Sequence, residues 1–217
     1  MKNLLNKELR LAASPLSYIF LVAALMTLLP GYPILMGAFF ICLGIFQSFK
    51  YARESNDVLY SVLLPVKKSD FVRSKFAFTC FIELIGFALC AILTAVRMTA
   101  LGQAGPYVGN ALMNANPVFL AFTLLIFTAF NLFFVGGFFR TGYNLGWPFL
   151  AFGIATLILV TVAEIMPHVP GLAFLHDPAG ERLGVQFAAL LAAAAIYAVV
   201  TYIACRRSER RFELIDL

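Results

Sequence analysis

Charge is what this sequence has least of. Only 12% of its 217 residues are Asp, Glu, Lys or Arg, against about 25% in soluble domains. That is too few to wet the surface of a globular fold, and the chain is too apolar to be disordered. Histidine appears twice and tryptophan once. There is no His-Glu-x-x-His, no Gly-x-Ser-x-Gly and no pair of carboxylates at helical spacing facing a span interior, so the usual marks of intramembrane hydrolysis are missing. His168 and His176 flank Pro170 near Asp177 and Glu181, but a metal would need a third convergent ligand, and no metal site is expected. The chain carries no Gly-x-x-x-x-Gly-Lys-Ser/Thr phosphate loop. The four cysteines, Cys42, Cys80, Cys90 and Cys205, show no Cys-x-x-Cys spacing and read as packing residues.

What is abundant is apolar surface: 62% hydrophobic residues, 23 Phe and a mean hydropathy of +0.90. This composition implies a multi-span integral membrane protein. A hydrocarbon layer about 30 Å thick takes roughly 20 apolar helical residues, and the chain divides into six runs: Leu16–Leu29, Ile34–Phe49, Phe76–Val96, Pro117–Phe139, Leu145–Met166 and Val185–Cys205. None alternates with the period of a barrel strand, so the expected fold is an all-α bundle of six transmembrane helices. The first two runs, of 14 and 16 residues, give only about 21 and 24 Å of helix. Pro30-Gly31-Tyr32-Pro33 joins them as a tight turn, so they form a hairpin whose two ends lie on one side, whether or not it crosses fully.

With the N-terminus inside, every one of the sixteen basic residues except Arg97 and Arg182 falls in a cytoplasmic piece, as the positive-inside rule requires. The net charge of +5 is therefore a topology signal, with both termini cytoplasmic in a cell membrane, and no nucleic-acid partner is expected. Glu8 in the basic start and the absence of a small-residue cleavage pattern after Leu29 argue against a signal peptide.

Residues 1–14 alternate Leu4, Leu5, Leu9, Leu11 and Ala12 with Lys2, Lys7, Glu8 and Arg10, an amphipathic segment suited to the headgroup layer or a plain basic flank. Ser14 is expected to cap the next helix and Pro15 to open it. In the loop 50–75, Asn56 or Asp57 can cap a short helix with Val58, Leu59, Val62 and Leu63 on one face and Pro65 ending it. Ser69 or Asp70 can cap the third span. The short helix suits docking on another protein, or lies on the inner leaflet, which the loop's six basic residues favour.

The order Glu54, Asn56, Leu63-Leu64-Pro65-Val66, Lys68, Asp70, Val72, Lys75 resembles the loop signature of small bacterial type-2 ATP-binding-cassette permeases. Met-Lys-Asn-Leu-Leu-Asn-Lys-Glu-Leu-Arg-Leu before Ser14-Pro15 is similar to that family's N-terminal elbow helix, and Phe139-Arg140-Thr141-Gly142-Tyr143-Asn144 to its turn between the fourth and fifth spans. Leu145-Gly146-Trp147 departs from it, standing where the family continues with basic residues. The resemblance covers about the first three quarters of the chain. It implies an elbow helix over residues 1–14, a six-span domain over 15–205 with a coupling helix in 50–75, and a tail over 206–217. Glu54, Asn56, Asp57, Leu59, Leu63, Leu64, Pro65 and Lys68 become the residues expected to couple to a separate cytoplasmic ATPase, which binds the ATP and Mg; this chain holds no cofactor. Six spans are half a pathway on that pattern, so a homodimer or a pair with a sister permease is expected, embedded in lipid.

Among polar residues within the runs, Glu83 and Asn131 are the candidates for the substrate path. A membrane-interior carboxylate faces a partner or a cavity, and the structural reading of Glu83 is preferred. Asn131 reads as interhelical glue. Glu164, near the outer end of the fifth run, is expected to reach water. Ala188, Ala189, Ala192 to Ala195 and Ala198 form a surface on which another helix can approach closely. Most of the eight Phe of the fourth run are expected to face lipid, and Gly136-Gly137 is a flexing point. The resemblance implies the permease of an exporter of hydrophobic or amphipathic substrates, peptides foremost. A non-transporting scaffold or immunity protein and an intramembrane lipid-modifying enzyme are the alternatives.

Overall fold

A computed structural model describes residues 2–63, 66–102, 104–108, 110, 112–141, 144–172 and 182–215. Their regular structure is entirely helical. Helix α1 spans residues 2–12, with Lys2–Lys7 α-helical and Glu8–Ala12 a π turn. It is followed by α2 (Pro15–Leu28), α3 (Met36–Glu54), the short α4 (Asp57–Leu63), α5 (Lys68–Ala100), α6 (Gly105–Val108), α7 (Pro117–Thr141), α8 (Gly146–His168) and α9 (Leu183–Glu213). Of these, α5, α7, α8 and α9 are long and apolar enough to cross a membrane, and α1 with α2, bent by 92°, counts as a fifth if the pair is one span.

Helix starts follow capping chemistry. The Ser14 side chain accepts from Leu16 N with Pro15 in the first turn, and Asn116 accepts from Phe119 N ahead of Pro117, each satisfying a backbone donor that a helix start leaves over. Asn56 precedes α4 with φ of 54°, a left-handed conformation that Asn tolerates better than most residues. At α5 the expectation of a Ser69 or Asp70 cap is not met: Lys67 holds the cap position without a side-chain bond. Asp70 lies one turn in, where it faces the positive helix end and pairs with Arg73 at 3.7 Å.

The two short runs become α2 and α3, and their lengths have a physical cause. Nine residues of α2, Phe20–Leu28, are 3-10 helix, which rises about 2.0 Å per residue and stretches α2 to about 25 Å. α3 reaches to Glu54, past the expected end at Phe49. The hairpin packs closely because Gly44 has no side chain, since a Cβ there would stand 2.6 Å from Phe20 Cβ. Ser17 Oγ donates to Gly44 O at 2.6 Å, and Ser48 Oγ accepts from Ser14 N at 2.8 Å, locking the two helices through buried polar bonds.

The core sits around α7, which α3, α5, α8 and α9 surround. Here an expectation is corrected. Of the eight Phe, all but Phe133 are buried, because a helix apolar all round is a core helix and α7 is the central one. The rings of Phe130, Phe134, Phe138 and Phe139 pack edge-to-face against Phe49, Phe71, Phe152 and Phe212, and Phe130 stacks on Phe134. On α9, Ala193 is buried, whereas Ala188, Ala192, Ala194, Ala195 and Ala198 are exposed on the single chain. The Leu5, Leu9 and Ala12 stripe of α1 faces the protein body, with Ala12 buried and the two leucines packed on the core.

Candidate functional site

At one end of the bundle three helices meet in an ion cluster. Lys75, two turns into α5, places Nζ 2.6 Å from Glu8 Oε2 of α1 and 3.2 Å from Asp57 Oδ2 of α4. Lys7 of α1 pairs with Asp57 Oδ1 and donates to Ser61 Oγ at 2.9 Å. Both ammonium groups lie over the Phe71 ring, 5.6 Å from its centroid. Burial alone would raise the Asp57 carboxyl, but Lys75 and Lys7 outweigh it and hold Asp57 below the usual carboxylate range. Two cations against two carboxylates close the charge balance, which lets the cluster stay buried.

This arrangement gives α4 two faces. Val58, Ser61 and Asp57 turn inward, whereas Tyr60 and Leu63 are 65% and 74% exposed. The expected single apolar face is therefore split, with Val58 buried and Leu63, one of the residues expected to couple, on the outer face. Glu54 is exposed at the end of α3, 3.8 Å from Lys50, and Asn56 is exposed in the turn. Asp57 is the inward tether. Lys68 donates to Ile215 O at 2.7 Å, so it binds the C-terminal segment. Leu59 belongs to α4 by its backbone, and Leu64 and Pro65 lie outside the described residues. Arg73 adds a two-pronged bond to Glu209 of α9, Nε to Oε1 at 2.8 Å and Nη2 to Oε2 at 3.0 Å. The start of α5 is thus tied to α1, α4 and α9 together.

A second polar group lies in the bundle interior. Asn131 Nδ2 donates to Glu83 Oε2 at 2.8 Å and to Thr201 Oγ1 at 3.2 Å, and Tyr197 OH donates to the same Glu83 oxygen at 2.8 Å. Glu83 and Asn131 are both fully buried. Asn131 belongs to a π-helical stretch of α7, Phe130–Val135, an irregularity that recurs at functional sites and sets its side chain between α5 and α9. The network joins three helices by their side chains, as the sequence reading of Asn131 expected. Glu83 Oε1 and Asn131 Oδ1 stay buried without a partner among the described residues.

Sequence reasoning missed the opposite end. Arg97, buried at the end of α5, donates to Thr27 O at 2.6 Å and to Asn114 Oδ1 at 3.0 Å and stacks 4.6 Å from the Tyr107 ring centroid. Glu164, expected to reach water, instead accepts from Met113 N at 2.7 Å. Together they clamp the segment before α7 onto the α2 end and α8. A lone arginine closing a long apolar run was the available signal. His168 is exposed, and His176, Asp177 and Glu181 lie outside the described residues.

No curated protein and no solved structure matches the chain. A family model described as "ABC-2 family transporter protein" matches residues 3–206, which takes in α1, the ion cluster, α4, the Glu83 network and all but the last turns of α9. An apolar helical bundle, membrane-long helices and that near-complete match agree, and the chain belongs to the ABC-2 transporter family as a multi-pass membrane permease, the kind of subunit that works with an ABC ATPase.

Proposed function

We propose that this chain is the membrane half of an exporter in which a separate cytoplasmic ATPase binds ATP and Mg and drives the helices. The observation that carries this is the two-faced α4: its inner face is tied by Asp57 and Ser61 to Lys7 and Lys75, and its outer face presents exposed Tyr60 and Leu63. An apolar face on a helix outside the bilayer, held by a fixed inner face, is suited to receiving a push. Displacement of α4 by the ATPase would pass through Asp57–Lys75 into α5 and through Lys7 and Glu8 into α1, and Arg73–Glu209 would carry it to α9.

The orientation that suits this has α4 and both termini in the cytoplasm of a bacterial cell, as the distribution of basic residues favours. α2 and α3 complete six spans in a locally thinned bilayer, α1 lies in the headgroup layer at its 92° bend, and two such chains, identical or sister, enclose one pathway. The cargo is hydrophobic or amphipathic, with peptides foremost. Glu83 and Asn131 hold the three helices in register near that path. The test is co-purification with candidate ATPases in detergent, followed by ATP hydrolysis, for the wild type and a Tyr60→Asp, Leu63→Asp variant. Loss of complex and of stimulated hydrolysis in the variant supports docking; an unchanged complex overturns it.

A further inference from the structure

Between α7, α8 and α9, at the same end of the bundle as α4, runs a groove of about 490 Å3, within the roughly 300–1,000 Å3 of small-molecule sites. Its rim carries Arg140, Arg207 and Arg211, and its deeper wall carries Leu132 and Phe133. No acidic side chain lines it among the described residues, and Glu209, close by on α9, is taken up by Arg73 and Arg206. The three rim arginines are exposed. Trp147, 74% exposed, stands at the mouth, at the headgroup level where tryptophan is favoured.

We infer that this groove binds one anionic phospholipid, its phosphate among Arg140, Arg207 and Arg211 and an acyl chain along Leu132 and Phe133. Two observations select that occupant. Three guanidinium groups without a carboxylate match a phosphodiester, which arginine recognises with paired donors, and basic pockets between spans collect such headgroups. The apolar wall continues seven residues below Arg140, about 10 Å of helix, a depth inside the bilayer that a cytoplasmic protein does not reach. A second copy of the chain would set three more arginines against these. The proposal rests on reading α7, α8 and α9 as membrane spans; the orientation proposed above adds only that the lipid belongs to the inner leaflet.

Trp147 is the sole tryptophan, so its fluorescence reports this mouth alone. The purified full-length chain is placed in nanodiscs of phosphatidylcholine and phosphatidylglycerol at equal mole fraction, with bromine quenchers on one lipid or the other. The expected result is quenching of Trp147 by brominated phosphatidylglycerol with about threefold or greater preference over brominated phosphatidylcholine, lost in an Arg140→Gln, Arg207→Gln, Arg211→Gln variant and reduced in Arg207→Gln alone. Equal quenching by both lipids in the wild type overturns the proposal, as does a preference that survives in the triple variant. Absence of quenching by either lipid means that protein covers the groove, and abolition of the preference by soluble glycerol phosphate means that a free anion is read; each also overturns it. No ATPase is present and both nanodisc faces carry the same lipids, so the result is independent of the ATPase reading and of the orientation.

Discussion

Lys75 Nζ lies 2.6 Å from Glu8 Oε2, with the two side chains 3% and 1% exposed, and this pair pins the N-terminal helix to α5 across 67 positions of sequence. Removing one member of a buried pair leaves the other charge uncompensated, at a cost of about 3–5 kcal/mol. Lys75→Met is expected to lower the thermal midpoint in detergent strongly, because it removes the buried cation between Glu8 and Asp57 and leaves both carboxylates to Lys7. Adding Glu8→Gln to it should recover part of the loss in a double-mutant cycle; additive losses would mean the two are not coupled.

The Asp57 tether should loosen in acid. Its carboxyl is held below the usual range in the folded state, whereas a released Asp57 titrates at about 3.9. The released state therefore binds a proton more readily, and the contribution is complete above about pH 4 and is lost as pH falls through the lower, folded value. A nitroxide on Leu63→Cys should report constant mobility from neutral pH down to that point and increasing mobility below it. Asp57→Asn should be mobile throughout. A transition near neutral pH would contradict the assignment.

Asn131→Leu removes two donated bonds, to Glu83 and Thr201, and leaves Glu83 with Tyr197 alone. Interhelical side-chain bonds in membranes average about 0.6 kcal/mol and reach about 1.7, so a loss of about 1–3 kcal/mol is expected, larger than for Tyr197→Phe. Equilibrium unfolding in mixed micelles measures it. Equal effects of the two substitutions would show that Asn131 is not the centre of the network.

At Gly137 α7 packs tightly on α8, since a Cβ there would stand 2.8 Å from Pro148 Cβ, a ring atom that cannot swing away. Gly137→Leu should separate the helices and cost about 1–3 kcal/mol by overpacking, read as a lower midpoint with the chain still inserted. A neutral outcome would show that the contact yields freely.

Long apolar periodicity made α7 and α8 legible to within a few residues and located α5 and α9, which extend eight residues beyond the expected start at Phe76 and end at Cys205, and Ser14-Pro15 and Asn56 marked helix starts by local chemistry. The side each helix presents was less legible. The phenylalanines of α7 were expected in lipid because hydrophobicity is the same signal for a lipid face and a protein core, and only the arrangement of neighbours distinguishes them. The length of α2 depended on 3-10 stretching and that of α3 on its extension to Glu54, neither of which apolar composition encodes. In the candidate site, the order of charges around Leu63-Leu64-Pro65 located α4, but the turn of Asp57 inward depends on Lys7 and Lys75, residues 50 and 18 positions away. Arg97 and Glu164 were visible as charges, yet their partners, Thr27 O, Asn114 Oδ1 and Met113 N, belong to other segments of the chain.

The central claim, that the outer face of α4 meets an ATPase, is tested most directly by photocrosslinking in cells from single positions on its two faces. A benzoylphenylalanine at Leu63 or Tyr60 is predicted to yield an adduct of this chain with an ATP-binding-cassette ATPase subunit, and one at Ser61 to yield none. Lipid adducts alone at Leu63 and Tyr60, or ATPase adducts from Ser61 in their place, would contradict it.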